Sequence, residues 1–188
     1  MNFLNKYIGA LYLPARFYGA MGLCIVLFVL SFFIPEMYAF VIVFFWIFMV
    51  LLFVDYLFLF VTGKPPSARR ITADRFSNGD ENKVELQVKN NMLFKVDMEI
   101  IDELPVQFQK RDWRLLHRFR AAEQKNILYK LRPVMRGEYE FGRIIIYVRS
   151  LLGLLKRRHN IDAIEVIPVY PSFLQMRKYE LLSQTTIQ

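Results

Sequence analysis

Side chains that commonly perform catalysis or bind metals are few in this 188-residue sequence, and they lie far apart. The two histidines, His117 and His159, have no cysteine near them, whereas a zinc site needs several ligands within reach of one ion. Cys24 is the single cysteine, which excludes a disulfide framework. Carboxylate pairs such as Glu138 and Glu140 alternate with aromatic residues and are predicted to face water. Because phosphate-binding loops and HExxH motifs do not occur either, we predict a protein that is not an enzyme and uses no metal or cofactor.

Basic side chains are the other chemically distinctive groups. Residues 1–61 carry two basic and two acidic side chains, so the whole net charge of +8 lies in the residues after 61. Lysine and arginine near a membrane surface attract anionic lipid with about 1 kcal/mol each. Basic residues interleaved with aromatics, as in residues 107–120, are also typical of nucleic-acid binding. A membrane tether explains these charges more simply, so we predict no nucleic-acid partner. The predicted contacts to anionic lipid or to a protein partner are Arg69, Arg70, Lys110, Arg111, Arg114, Lys156, Arg157 and Arg158.

Two long apolar stretches precede these residues and must position them. Residues 17–34 contain no charge, and residues 38–61 contain only Asp55. A hydrocarbon core about 30 Å thick needs roughly 20 apolar residues in a helix, so both stretches are long enough to cross a bilayer. Backbone groups in lipid must bond within their own segment, which favours helices. The three-residue link makes the two helices antiparallel. We predict a transmembrane hairpin whose partner is the lipid bilayer.

The distribution of charge around the hairpin predicts its orientation. The link between the helices carries only Glu36, whereas the other end of the hairpin carries Lys6, Arg16 and Lys64 together with Arg69 and Arg70. Lysine and arginine are retained on the cytoplasmic side of a membrane. We therefore predict that both termini are cytoplasmic.

Asp55 allows two interpretations. It forms a polar contact inside the membrane, for example to another subunit, or it is a carboxylate at the membrane surface that reaches water or Lys64. A charge at the centre of a spanning helix costs about 2.5–3.5 kcal/mol, and less toward the ends.

Beyond residue 63 the spacing of apolar residues changes: they recur at every second position, as in a strand, and no longer with the period of a helix. Residues 83–89 alternate polar and apolar side chains without interruption, and residues 94–100 repeat this pattern after Asn90 and Asn91. The two segments therefore form a hairpin or successive strands of a sandwich. Further strands are predicted over residues 70–76, 126–132 and 163–170, with a short helix over residues 173–182.

The segment around Gly142 interrupts the alternation. Tyr139 and Phe141 occupy one face, and the apolar phase resumes at Ile144, so we predict a β-bulge at Gly142. Several short strands with no strong helix between them are typical of an all-β, immunoglobulin-like antiparallel sandwich. The predicted organisation is an N-terminal segment with the transmembrane hairpin (residues 1–62), a linker (63–69), the β-sandwich (70–171) and a short helix or linker (172–188).

Three short motifs follow one another after the hairpin. They are RGxYxFG at residues 136–142, SxxGL at residues 150–154 with the two arginines that follow, and VYP at residues 169–171. In this order they resemble the N-terminal half of the family called domain of unknown function 58. The resemblance implies a bacterial protein of the inner, cytoplasmic membrane, with a MoxR-type AAA+ ATPase as a partner. It also implies a von Willebrand factor A-type domain beyond residue 188. The metal-binding Asp-x-Ser-x-Ser sequence of such domains does not occur here, so no site residues carry over.

These observations lead to one functional prediction with two alternatives. We predict a non-enzymatic, membrane-anchored scaffold or interaction protein that presents a cytoplasmic β-sandwich to protein partners. The first alternative is a subunit of a multi-component membrane transport or assembly complex, in which the hairpin packs into a larger bundle through Asp55. The second alternative is a module that binds anionic lipid through its basic residues.

Overall fold

Two long helices occupy the N-terminal third of the chain. A computed structural model describes residues 9–61, 64–110 and 113–171. Helix α1 spans Ala15–Phe33 and α2 spans Tyr38–Phe60, with one turn of 3-10 helix at Pro35–Met37 between them. Both helices are long and apolar enough to cross a membrane. The prediction of two long apolar helices is therefore confirmed, with boundaries within two residues of those expected.

The other regular elements are short strands and a second turn of 3-10 helix at Val106–Phe108. The strands are β1 (Leu11–Tyr12), β2 (Ser67–Ile71), β3 (Phe76–Ser77), β4 (Asn82–Lys89), β5 (Val96–Asp102), β6 (Arg114–Phe119), β7 (Gln124–Leu131), β8 (Gly137–Phe141), β9 (Ile144–Arg149), β10 (Lys156–Ile161) and β11 (Glu165–Tyr170).

The strands form three sheets around one core. A five-stranded sheet has the order β1-β10-β9-β5-β6, and two three-stranded sheets have the orders β2-β4-β7 and β3-β11-β8. Neighbouring strands are antiparallel, except that β3 and β11 are parallel. Each sheet contributes fully buried side chains to the core, for example Ile100, Leu86 and Phe141. The prediction of an antiparallel, all-β, sandwich-like domain is confirmed.

Strands β4 and β5 settle which of two arrangements the alternating segments adopt. Strand β4 pairs with β2 and β7, whereas β5 pairs with β6 and β9 in the five-stranded sheet. They are therefore successive strands of different sheets and not a hairpin. The alternation is explained because Val84, Leu86 and Val88 are buried in the core while their neighbours are more exposed.

The predicted β-bulge at Gly142 is wrong, because the chain changes sheets at this point. Strand β8 belongs to a three-stranded sheet, and β9 belongs to the five-stranded sheet. The slip in apolar phase reflects this crossing, and Ile144 and Ile145 are both buried after it. A Cβ atom at Gly142 would lie 2.8 Å from the Cβ atom of Glu103, so this close approach of two chain segments requires glycine.

Two strands lie where the sequence pattern predicted no strand. Strand β6 falls within the basic segment of residues 107–120, where Phe119 is buried and Leu116 is exposed. Strand β10 begins at Lys156, one of the residues predicted to contact lipid or a partner. Strand β2 begins three residues before the predicted start of the β domain at residue 70. The predicted helix over residues 173–182 lies outside the described residues.

Candidate functional site

The helices meet the β domain at a junction formed by the start of α1, the end of α2 and the loop between β9 and β10 (residues 150–155). Strand β1 leads directly into α1 and pairs with β10, where the backbone N–H of Arg158 donates to the carbonyl oxygen of Ala10 over 2.8 Å. The ring of Tyr12 packs edge-on against Tyr147, with ring centroids 5.1 Å apart. The segment that leads into α1 is therefore part of the five-stranded sheet.

Helix α2 presents a narrow buried stripe to the rest of the protein. Val41, Phe48 and Asp55 recur at intervals of seven residues, and Leu59 follows one turn later, so these side chains lie on one face of the helix. All four are buried. Leu59 belongs to the same hydrophobic core as the strands of the β domain. The core is thus continuous from the last turn of α2 into the sandwich.

Asp55 is the polar centre of the junction. Its carboxylate is fully buried and accepts a hydrogen bond from the hydroxyl of Ser150. The backbone N–H groups of Leu152 and Leu154 also donate to it, over 3.1 and 3.2 Å. Backbone N–H groups that converge in this way form a site for an anion. Here the anion is a side chain of the helix, so the loop and the helix hold each other in place.

The loop itself is shaped to receive this carboxylate. The hydroxyl of Ser150 accepts a hydrogen bond from the N–H of Leu155 over 3.1 Å while it donates to Asp55. Gly153 has a φ angle of +76°, which favours glycine. A Cβ atom there would also lie 3.1 Å from the guanidinium of Arg16 at the start of α1. The residues of the SxxGL motif therefore have structural roles at the junction.

Arg157 completes the junction from strand β10. Its guanidinium donates to the carbonyl oxygen of Leu59 over 3.1 Å and lies 4.4 Å from the ring centre of Phe60. The last carbonyl groups of a helix have no partner within the helix and attract positive charge. Arg157, expected to contact lipid or a partner, instead binds the end of α2.

His159, which was considered above only as a metal ligand and set aside, lies on the same strand. Burial and the nearby positive charge of Arg157 lower the pKa of His159 to about 4. Its Nε2 atom is buried and has no hydrogen-bond partner among the described residues. The imidazole is therefore neutral at physiological pH.

Asp55 follows neither of the two interpretations given above, since it binds a loop of the β domain of its own chain. The carboxylate does not reach water, and the contacts that it makes among the described residues are to a loop of its own chain. Ser150 could have been proposed as its partner because it opens the SxxGL motif. The separation of 95 residues along the chain concealed the pairing.

Arg70 is a second buried charge, inside the β domain. It forms an ion pair with Asp102, and both side chains are almost entirely buried. The guanidinium also donates to the carbonyl oxygens of Ala163 and Gly142, over 2.6 and 3.1 Å, and Asp102 accepts a further hydrogen bond from the hydroxyl of Tyr129. The expectation that Arg70 contacts lipid or a partner is corrected, because the side chain faces the interior and joins strands of different sheets.

Two of the other predicted contact residues converge on one carboxylate. Arg114 and Lys156 pair with Glu99 over 3.3 and 2.9 Å on the outer face of the five-stranded sheet. Partial burial opposes ionisation of Glu99, but the hydrogen bond from Lys156 and the positive charges of both partners outweigh it and lower the pKa of the carboxyl. Lys156 and Glu99 also line a shallow cleft of about 390 Å³.

The remaining predicted contact residues are dispersed. Arg69 is exposed on β2, and the ammonium group of Lys110 lies 4.8 Å from the ring centre of Trp113. Arg158 donates to the hydroxyl of Tyr12 over 3.3 Å. Arg111 lies outside the described residues. The structure therefore does not gather the eight predicted residues into one basic patch. No cluster of three or more potential metal ligands occurs within the described part of the chain.

Comparisons with known proteins identify no relative by sequence. No family model matches the chain, and no curated protein matches it. Among solved structures, the crystal structure of a CARDB domain from Pyrococcus furiosus, in complex with di-metal ions, covers 57% of this chain and 90% of its own. It has 14% sequence identity and a TM-score of 0.41. A solution structure of the same domain covers 55% of this chain and 93% of its own, with 13% identity and a TM-score of 0.37.

These comparisons overturn the resemblance to domain of unknown function 58. No family model matches the sequence, and this includes the model of domain of unknown function 58. The expectations of a MoxR-type ATPase partner and of an A-type domain depended on this resemblance and are withdrawn with it. The motifs that suggested it are explained by the fold, as the junction contacts of residues 150–154 illustrate.

Proposed function

We propose that this protein is a membrane-anchored interaction protein. Helices α1 and α2 cross the bilayer as a hairpin and hold an immunoglobulin-like β domain against the cytoplasmic face. The observation that carries this proposal is the apolar surface of the helices, on which Phe32 is 83% exposed and Phe40 is 77% exposed. A contiguous apolar surface of this extent is typical of contact with lipid or protein and not with water.

The charge pattern supports a cytoplasmic position for the β domain. Glu36 is the charged residue of the link, whereas Arg16 and Lys64 flank the helices at their other end. This asymmetry follows the tendency of lysine and arginine to remain in the cytoplasm.

The junction supports a role in presenting a fixed surface to a partner. Strand β1, Asp55 and Arg157 each connect a helix to the β domain. The domain is therefore oriented relative to the membrane and is not suspended on a free linker. A subunit of a transport complex would use Asp55 to contact other helices, but this carboxylate already accepts three hydrogen bonds from its own chain. We therefore place the scaffold ahead of the transport subunit.

The anchor and its orientation are testable by cysteine labelling of the full-length chain in a bacterial membrane. Cys24 is the single cysteine of the sequence, so its replacement by serine gives a parent without cysteine. We expect a membrane-impermeant maleimide to label the Glu36→Cys variant in intact cells. The Val134→Cys variant, with a probe in an exposed loop of the β domain, should be labelled only after permeabilisation.

Two outcomes would contradict the proposal separately. Labelling of the Val134→Cys variant in intact cells would reverse the orientation. Release of the protein from membranes by alkaline carbonate would show that the helices do not span the bilayer.

A further inference from the structure

Three exposed leucines lie on two loops of the β domain that touch the end of α2. Leu151 and Leu152 belong to the loop between β9 and β10 and are 52% and 42% exposed. Leu93 belongs to the loop between β4 and β5 (residues 90–95) and is 84% exposed. We call these three side chains the leucine edge. Its position follows from contacts that each loop makes with α2.

The contacts place both loops alongside α2 and not beyond its end. Ser150, Leu152 and Leu154 of the first loop donate hydrogen bonds to Asp55. Asp55 precedes the last residue of the helix by five positions, or about 7.5 Å at 1.5 Å per residue. In the other loop, the ring of Phe94 packs edge-on against Phe58 in the last turn of the helix, with centroids 6.0 Å apart.

We propose that the leucine edge is immersed in the membrane, at the boundary between the hydrocarbon and the lipid headgroups. This inference rests on the proposed function, because it requires that α2 spans the bilayer. If the apolar part of α2 extends to Phe60, any loop that reaches the level of Asp55 must enter the apolar layer. The partner of this surface is therefore lipid.

Backbone structure that enters lipid must satisfy its own polar groups, and both loops satisfy several of theirs within the chain. In residues 150–155, five backbone N–H groups donate hydrogen bonds within the chain, and two of the five donate to Asp55. The donors are Ser150, Leu152, Gly153, Leu154 and Leu155. In the other loop Asn90 has the corresponding role. Its side chain accepts from the N–H of Met92 and donates to the carbonyl oxygen of Phe94.

The charged residues at the same level suit lipid headgroups. Lys95 follows the leucine edge on one loop, and Lys64 lies just after α2; both are exposed. Long basic side chains extend from an apolar layer toward phosphate groups while their hydrocarbon stems remain in contact with it. The junction thus has apolar tips with basic residues behind them, as expected for a surface dipped into a membrane interface.

The test uses the full-length protein in vesicles of phosphatidylethanolamine and phosphatidylglycerol. Single cysteines are introduced at Leu93, Leu151 or Leu152 in the Cys24→Ser background and labelled with an environment-sensitive fluorophore. We expect blue-shifted emission that a doxyl-labelled lipid quenches more strongly than aqueous iodide. The matched control is Val134→Cys. It lies beyond the opposite end of β4 and β7, on the order of 20 Å from the helices, and should show the reverse preference.

A label at Ile47→Cys, in the middle of α2, separates failure of this inference from failure of the proposed function. If the Ile47 label is quenched by lipid while the leucine-edge labels are quenched by iodide, the helices span but the edge is not immersed. If all labels are quenched by iodide, the anchor itself is refuted. Protection of the edge labels from both quenchers would indicate a protein neighbour and would also overturn the inference. Leu93→Cys guards against misfolding, because this exposed side chain has little packing to lose.

Discussion

Removing the Asp55 carboxylate should uncouple the helices from the β domain. In an Asp55→Ala variant, the N–H groups of Leu152 and Leu154 lose their acceptor in a partly buried setting. An unsatisfied buried donor costs about 1–3 kcal/mol. Relief of the cost of burying the carboxylate offsets part of this loss. We therefore expect the free energy of unfolding to fall by about 2–4 kcal/mol.

A double-mutant cycle with Ser150 isolates the contact from these side effects. Ser150→Ala alone removes a hydrogen bond to a charged group, worth about 1.5–3 kcal/mol. In the Asp55→Ala background the same substitution removes much less, because the carboxylate has gone. We expect a coupling energy of about 1.5 kcal/mol between the two sites, within the range typical of residues in direct contact.

The measurement is urea unfolding of the full-length chain in detergent micelles, followed by the fluorescence of Trp113. This tryptophan lies 5.2 Å from the ring of Tyr129 and reports on the β domain. All variants carry Trp46→Phe, which removes the signal from the helices. The control cycle pairs Asp55 with Ser31, a buried serine that bonds within α1 to the carbonyl oxygen of Phe28, and it should be additive. A coupling energy below about 0.5 kcal/mol between Asp55 and Ser150 would refute the reasoning.

Three further predictions concern the β domain, with stability read from unfolding curves. The pKa of His159 is lower in the folded state than in the unfolded state, so stability should rise with pH from about 4 to 6.5, by up to about 3 kcal/mol; His159→Gln should flatten this slope, and an unchanged slope would count against it. Asp102→Ala should cost about 3–5 kcal/mol because it leaves Arg70 charged and buried, and adding Arg70→Met should restore part of the loss; a double variant less stable than the single one would contradict the argument. Gly142→Ala should cost about 1–3 kcal/mol through the contact of its Cβ with Glu103, and wild-type stability would show that this contact yields freely.

Local sequence patterns were sufficient to predict the helices and strands whose apolar residues follow a regular pattern. The helices were found because their apolar stretches have the required length. Strand β4 was found because one of its faces is buried and the other is not. Strand β10 was missed because KRRHNI has no apolar alternation. Its inward-facing Arg157 instead binds a helix end, a contact that depends on the tertiary structure.

The buried charges show why the site was less predictable than the fold. Arg70 and Asp102 are 32 residues apart, and each looks like an ordinary surface residue in its own strand. Asp55 was singled out correctly as unusual, yet its partner Ser150 lies on a loop that no local pattern links to α2. Pairings of this kind are set by how the sheets and helices pack, so they become visible only once the fold is known.

The contacts at the junction also constrain the order in which the protein can be completed during synthesis. Strand β1 and Asp55 on α2 are synthesised early. Their partners Ser150, Arg157 and the rest of β10 are synthesised more than 90 residues after Asp55. If the helices span a membrane as proposed, they can insert long before their ends at the junction are secured. Until then Asp55 has none of its partners from the loop. A nascent chain halted before residue 150 would therefore hold both helices with the carboxylate still unengaged.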